Sequence, residues 1–381
     1  MTLRFTVDAV DGRARRGRLD TPHGRLDTPA FMPVGTLGAV KGLSVDALSG
    51  LGAQLMLANL YHLSLRPGID VIDRLGGIHA FTGWSGPILT DSGGFQIWSL
   101  ASLRKVDDGG VTFRSHLDGD ELRFTPESVV AAQHRMGVDI AMVLDECPPW
   151  PISEADAEIS LARTSRWAET ARRAWEETPE SVSGLRAGGL FGIVQGSVYP
   201  RLRARAVEVL TGLDFAGYAV GGVSVGEEMV HRHAVVEMTA PLLPAERPRY
   251  LMGLGTPQDI LHAVTWGIDL FDCVLPARNA RHGTLFTDQG VIKIKNARYL
   301  DDPRPVGPPG SPLAGTSRAF LHHLFRTKEI TGPVLATLHN LHHYLDFMRR
   351  LREGIKLGKL SELAGAMASR YADGETGGAS A

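Results

Sequence analysis

The sequence predicts an α/β chain folded as a (β/α)8 TIM barrel, and three observations predict it. Short apolar runs alternate with amphipathic helical segments. Seven or eight such units fit on the chain. The polar residues that are hardest to explain collect where the apolar runs end. Alternation calls for parallel strands joined by helical crossovers. That many units favours a closed barrel over an open sheet.

The chain opens with a predicted N-terminal β-hairpin. LRFTVDAV leads into a polar turn at Asp11-Gly12 and then RRGRLDTPHGRLDTPAFMPVG, whose prolines and glycines break any helix. The apolar runs follow as AQLMLANLYHL, GPILTDSGGFQ, DIAMVLDECPP, GLFGIVQGS, FAGYAVGGVSVGE, RYLMGLGTP and LFDCVLPARNARHG. The helical segments include PESVVAAQHRMG, SEADAEISLARTSRWAETARRAWEE, YPRLRARAVEVLTGL, MVHRHAVVEMTAPLL and TPQDILHAVTWGI. The tail DGETGGASA is biased in composition and is expected to be disordered.

Composition limits the partners. The chain has 381 residues, 43% of them hydrophobic, which is enough for a large core, and a formal net charge of −2. A nucleic-acid partner must therefore be held by a local patch. No apolar run is long enough to span a bilayer, and the N-terminus shows no signal-peptide h-region. With only two cysteines, Cys147 and Cys273, a reduced cytoplasmic setting is expected.

The corners carry the candidate chemistry. Asp91, Asp145, Gln195, Gly221–Gly222, Gly253–Gly255 and Asp272 all end apolar runs. In a barrel such corners share the C-terminal face, where active sites are built. A lone aspartate at a corner is most often a turn former or helix cap. Three on one rim can instead divide labour, one attacking carbon and another moving a proton. Displacement at a sugar C1′ through a glycosyl-enzyme fits that pair. Asp145 and Gln195 offer acceptors and donors suited to the edge of a flat heterocycle. The glycines of DSGGFQ and Gly221–Gly222 let backbone approach a ligand. Phe95 and Met252 suit either the core or a sandwich around a purine-like base. In FDCVLPARNARHG, Arg278 and Arg281 either pair with Asp272 or hold phosphate while the acid reacts. The residues alone leave both readings open.

DSGGFQ, VLDECPP, GIVQGS, YAVGGVSVGE, LMGLGTP and FDCVLPAR, with NLYHLSLRPG and SHLDGDELRFTPE, resemble the motif set of tRNA-guanine transglycosylases of bacterial type, collinearly over roughly residues 3–370. The resemblance implies an irregular (β/α)8 barrel that exchanges guanine 34 in the anticodon of GUN tRNAs for the queuosine precursor preQ1. Asp272 matches the nucleophile and Asp91 the general acid/base. Asp145, Gln195 and Gly222 match residues that read the base, and Phe95 and Met252 match the stacking pair. Ser92, Gly93, Gly94, Cys147, Gly221, Val223 and Val225 complete the implied base pocket. Gly253, Leu254, Gly255, Thr256, Pro257, Gln258 and Asp259, then Ala277, Arg278, Asn279, Ala280 and Arg281, match the tRNA-contact segments. Val225 stands where eukaryotic members, which insert queuine, have glycine. This favours preQ1, although Ser224 is the eukaryote-like choice. The implied partners are tRNA, guanine and preQ1, with a homodimer as the working form. No membrane partner is expected.

One part of the pattern is missing. The family's late zinc site takes three cysteines and a histidine. Here Pro308, Gly310 and Leu313 occupy the cysteine positions, and of the four ligands only His339 remains. Structural zinc needs about four ligands, so no metal or other cofactor is expected. An all-histidine replacement from His322, His323, His342 and His343 is the alternative. The expected organisation is one barrel domain over 1–372, with a C-terminal helical subdomain at about 297–350, and a tail at 373–381. Two competing functions are a non-catalytic tRNA-binding partner subunit and a sibling enzyme that acts on DNA or inserts another deazaguanine.

Overall fold

The structure, a computed structural model, describes residues 3–100, 104–115, 117–178 and 184–372. The expected tail at 373–381 lies outside the described residues. Strands β1 (Arg4–Asp11), β2 (Ala14–Thr21) and β3 (Gly24–Thr28) form an antiparallel sheet. The predicted hairpin turn falls at Asp11–Ala14, and a third strand continues it. β4 (Ala30–Met32), β5 (Met56–Ala58) and β6 (Ile88–Thr90) belong to the barrel. An antiparallel insert follows, made of β7 (Arg104–Asp107), β8 (Gly110–Arg114) and β9 (Glu121–Phe124). The barrel resumes with β10 (Ile140–Met142), β11 (Gly189–Val194), β12 (Gly217–Val220), β13 (Arg249–Leu251) and β14 (Leu270–Asp272). β15 (Thr284–Thr287) and β16 (Gly290–Lys293) form a separate hairpin.

The barrel sheet has eight parallel strands in the order β4-β14-β13-β12-β11-β10-β6-β5. A parallel bridge between Val34 and Leu57 joins its two ends. The strands are short and buried on both faces, as parallel strands covered by helices must be. The expected helices appear at Pro126–Met136, Glu154–Glu177, Pro200–Gly212, Met229–Thr239 and Pro257–Thr265. Capping residues start several of them. Thr125 and Ser128 form a capping box, while Ser153 and Thr256 each accept a hydrogen bond from the first turn.

β1–β3 lie at the N-terminal end of the barrel. Arg15 of β2 reaches Asp269 just before β14, with Nε donating to Oδ1 at 2.9 Å in a fully buried pair. The guanidinium also donates to the carbonyls of Ala245 and Arg247, so its hydrogen-bonding capacity is used.

The C-terminal region is tied to the rim through the helix Thr331–Leu357. Asn340 is fully buried and hydrogen-bonds three backbone groups. Its Oδ1 accepts from Phe286 N at 2.9 Å, and its Nδ2 donates to the carbonyls of Pro276 (2.9 Å) and Thr284 (3.0 Å). Its neighbour His339 places Nε2 2.8 Å from the Phe286 carbonyl, so Nε2–H donates there. Leu313 is buried in an apolar cluster with Leu285, Ile294, Tyr299 and Leu321. Replacing Asn340 with alanine removes the partner of three backbone groups, two of them in fully buried hydrogen bonds. We expect a loss of about 2–4 kcal/mol in denaturant unfolding. A loss well under 1 kcal/mol would mean that the helix does not depend on this side chain.

Candidate active site

Because all eight barrel strands are parallel, the residues that follow them share one rim. Asp91 follows β6, Asp145 lies just beyond β10, Gln195 follows β11, Gly221 follows β12, Met252 follows β13, and Asp272 ends β14. The structure thus gathers the corners that the sequence singled out.

Asp272 is 9% exposed. Its Oδ1 accepts from Tyr250 Oη at 2.7 Å and from Gly253 N at 2.7 Å. Burial raises its pKa, and these two donors oppose the rise. Asp91 keeps some solvent contact, but loss of hydration dominates and lifts its pKa to about 7, with the charges of Asp272 and Asp145 adding to the rise. Its Oδ1 accepts from Leu60 N at 2.8 Å and its Oδ2 from Asn59 Nδ2. Burial likewise raises Asp145 to about 6, against hydrogen bonds from Gln195 Nε2 at 2.6 Å and Ser92 Oγ at 3.4 Å. Among the described residues none of these three acids is in an ion pair.

Two glycines are demanded by this packing. A Cβ on Gly94 would lie 1.9 Å from Asp145 Oδ1. A Cβ on Gly222 would lie 2.2 Å from Gln195 Oε1, and its φ of +65° also favours glycine. Gln195 Oε1 is buried and has no protein partner, so it is an acceptor free to meet a ligand donor. Phe95 is 46% exposed on the rim, and Met252 is half-buried. Cys147, Val223 and Val225 are buried.

The question of the two arginines is answered by geometry. Arg281 Nη1 donates to the Ala277 carbonyl at 2.9 Å, and among the described residues neither Arg278 nor Arg281 pairs with Asp272. Arg278 is exposed, and the Arg281 guanidinium is held below its usual pKa by burial and by the charge of Arg278. Arg278 and Arg281 are thus two neighbouring cations beside the rim, and among the described residues neither is paired with a carboxylate. In the Gly253–Asp259 and Ala277–Arg281 segments, Leu254, Pro257, Asp259 and Ala280 are buried, and Thr256 caps the helix Pro257–Thr265 by accepting from Asp259 N and donating to its carboxylate. Gln258 and Arg278 are the exposed members.

Sequence reasoning missed several residues that build the site. Tyr250 looked like an ordinary strand aromatic, yet its hydroxyl holds Asp272. Asn59 looked like an ordinary polar residue inside the apolar run AQLMLANLYHL, yet it reaches Asp91. Glu227 accepts the backbone N–H groups of Ser224 and Val225, fixing the corner after the double glycine. Ser224 sits there at φ +66°. Arg203 is fully buried and donates to the carbonyls of Ser197 (2.7 Å), Val194 (2.9 Å) and Gly221 (2.8 Å), joining two corners. An arginine on the apolar face of a predicted helix was the available signal.

With this geometry in place, comparison with known proteins is direct. The family profile described as Queuine tRNA-ribosyltransferase matches residues 10–373. A Queuine tRNA-ribosyltransferase from Granulibacter bethesdensis is 50% identical over 378 residues, covering 98% of each chain. One from Thioalkalivibrio sulfidiphilus is 49% identical over 360 residues, covering 94% of this chain and 95% of its own. One from Desulforudis audaxviator is 51% identical over 359 residues, covering 93% and 95%. The collinear motifs, the closed parallel barrel and these whole-length similarities agree, and the chain belongs to the queuine tRNA-ribosyltransferase family.

Proposed function

We propose that this protein is a tRNA-guanine transglycosylase that exchanges guanine 34 of GUN tRNAs for preQ1 by two displacements at C1′ of the same ribose. The observation that carries the reading is the pair Asp91 and Asp272. These are two desolvated carboxylates on one rim, held by different donors and both with raised proton affinity. Asp272 attacks C1′ as the guanine–ribose bond breaks, and protonated Asp91 gives its proton to the leaving base. The incoming base then gives a proton to Asp91, attacks C1′ and releases the Asp272 carboxylate. One glycosidic bond replaces another, so no nucleotide triphosphate is consumed. The base must leave the stack to reach this rim. Asp145, Gln195 and the backbone at Gly222 read its edge, and Phe95 and Met252 stack on it. The free Gln195 Oε1 acceptor supports this assignment. Arg278 and Arg281 take anticodon-loop phosphates.

The working unit we propose is a cytoplasmic homodimer. Among the described residues no helix is long and apolar enough to cross a membrane. We propose further that the C-terminal region needs no zinc. His339 Nε2 is engaged with a carbonyl, His322 Nδ1 lies 2.8 Å from the Ile294 carbonyl, and Leu313 fills apolar space.

The decisive test is covalent capture. Asp272→Asn binds tRNA but gives no denaturation-resistant enzyme–RNA adduct, whereas an adduct of normal yield would remove Asp272 as nucleophile. Asp91→Asn keeps the nucleophile and slows turnover by about 10²–10⁴-fold. Tyr250→Phe separates positioning from chemistry. The tyrosine hydrogen bond favours the ionised Asp272, so its loss raises the Asp272 pKa. The nucleophile must be ionised, and the acidic limb of the kcat/KM profile should move to higher pH by about one unit or more. An unmoved limb would show that Tyr250 is only packing.

Selectivity is read at Val225, a buried side chain whose N–H is fixed by Glu227. Overpacking against the larger 7-substituent of queuine costs about 1–3 kcal/mol. Val225→Gly should improve queuine use relative to preQ1, and a wild type that takes both equally would overturn the preQ1 assignment. For the C-terminal region, guanine exchange and the far-UV spectrum should persist after exhaustive chelation. Loss of both, restored by one zinc per chain, would overturn the metal-free reading.

A further inference from the structure

The cation pair beside the rim continues into a longer basic stretch. From Arg278 to Arg298 the chain carries Arg278, Arg281, Lys293, Lys295 and Arg298, and a single acid, Asp288. Arg350 holds that acid at 2.8 Å. The whole chain has a formal net charge of −2, so the stretch differs sharply from the rest. Lys293, Lys295 and Arg298 are exposed, and among the described residues none of the three is in an ion pair. The fold joins the two groups. The helix Leu275–Arg281 leads through Gly283 into the hairpin β15–β16, where Thr284 stands opposite Lys293. Ile294 N donates to the Gly283 carbonyl at 2.8 Å. A Cβ on Gly283 would lie 3.2 Å from Lys295 Cγ and 3.3 Å from its Cε. The Lys295 stem therefore crosses the backbone just past Arg281.

We propose that Lys293, Lys295 and Arg298 extend the Arg278–Arg281 pair into a track for RNA backbone phosphates, which takes the stem of the tRNA hairpin whose loop enters the rim. The inference rests on the transglycosylase function proposed above. Two features set these cations apart from ordinary surface charge. Aromatic faces place two of them. Lys295 Nζ lies 5.6 Å from the centre of the Phe325 ring, and Arg298 Cζ lies 5.0 Å from that of Tyr299. A ring face fixes a cation and leaves its charge for an incoming anion, whereas a carboxylate would cancel it. The track is also tied to the rim. Asn340 holds the Pro276 carbonyl, at the head of the helix that bears Arg278 and Arg281, together with Phe286 N and the Thr284 carbonyl of β15. His322 Nδ1 lies 2.8 Å from the carbonyl of Ile294, the residue between the two lysines.

The chemistry favours backbone over bases. Ammonium groups act as point charges on phosphate. Such contacts set register and orientation without reading sequence. That suits a stem, which presents phosphates in every tRNA, while the loop base goes to the rim. The rim itself carries Asp91, Asp145 and Asp272, and ionised acids repel a polyanion. Cations on the adjoining segment offset that repulsion and concentrate the RNA beside the reacting groups.

The test uses the full-length protein and two RNAs, an unmodified anticodon stem–loop and the same loop without its stem. Binding is followed by fluorescence anisotropy across a range of salt. The triple variant Lys293→Ala, Lys295→Ala, Arg298→Ala should bind the stem–loop about tenfold or more weakly, with the slope of log K against log salt shallower by about 2. Its affinity for the stemless loop and its kcat for guanine exchange at saturating tRNA should be unchanged. Lys295→Ala also loses packing on Gly283 and Phe325, so the single variant Lys293→Glu serves as a second probe. Alone it should make the slope shallower by about 1. An unchanged slope in both variants would overturn the track. Equal loss of affinity for the stemless loop would overturn it too, by placing these cations at the loop. Failure of the parent function looks different: a wild type that neither binds tRNA nor exchanges guanine would overturn both, whereas guanine exchange with an unchanged slope overturns the track alone.

Discussion

Three carboxylates taken out of water on one rim are the constraint on which the rest of the site depends. Asp91, Asp145 and Asp272 are held by neutral donors, namely an asparagine and a backbone N–H, a glutamine and a serine, and a tyrosine and a backbone N–H. A cation beside any of them would favour the ionised form and lock it. Neutral donors orient the oxygens while leaving proton affinity raised. Asp91 therefore sits near pH 7, where it can both give and take a proton. Asp272 and Asp91 raise each other's cost of ionisation, which a rim can bear only if the backbone beneath it is rigid.

That rigidity comes from buried groups one layer down. Arg203 crosses from the Gln195 corner to the Gly221 corner and spends its donors on four carbonyls. The guanidinium stays charged even though burial lowers its pKa to about 10. Tyr344 donates to the Gly255 carbonyl at 2.7 Å, so the C-terminal helix reaches the loop beside Asp272. Asn340 fixes the start of the segment that bears Arg278 and Arg281. The chain beyond the barrel thus sets the position of the segment that carries these two arginines.

What was legible in the sequence follows from the same physics. Strand–corner–helix units were readable because β10 to β14 alternate with long amphipathic helices. β4 was not readable as a barrel strand. Its three residues, AFM, are too few to show a period and lie between prolines. β3 was absorbed into the same turn-rich stretch. The antiparallel insert β7–β9 went unnoticed because its strands are short and partly exposed. Acids and glycines at corners stand out in a sequence, since both are costly there without a use. Tyr250 and Asn59 do not stand out, because their roles depend on partners 22 and 32 residues away; Arg203 is conspicuous on its helix's apolar face, but its partners lie up to 19 residues away. Whether Arg278 and Arg281 pair with Asp272 was a question of direction. Composition carries no direction, so only the helix Leu275–Arg281 could answer it.

The two ends of the barrel divide stability from chemistry, as the barrel architecture allows. At the floor, acids meet a guanidinium or imidazole nitrogens: Asp269 meets Arg15, and Asp139 meets His23 and His79. Asp139 is held below the usual carboxylate range by His79 and by backbone donors, despite burial that pushes it the other way. At the rim, burial wins and all three acids are pushed upward. The sign of the shift separates Asp139 from the rim acids. Asp269 shows the limit of that rule, because burial outweighs even Arg15 and its shift is upward too. The partner, rather than the shift alone, identifies it as structural. A buried aspartate in this fold is therefore best read by what it hydrogen-bonds: a guanidinium or imidazoles where it holds the barrel floor together, neutral donors where it stands at the rim.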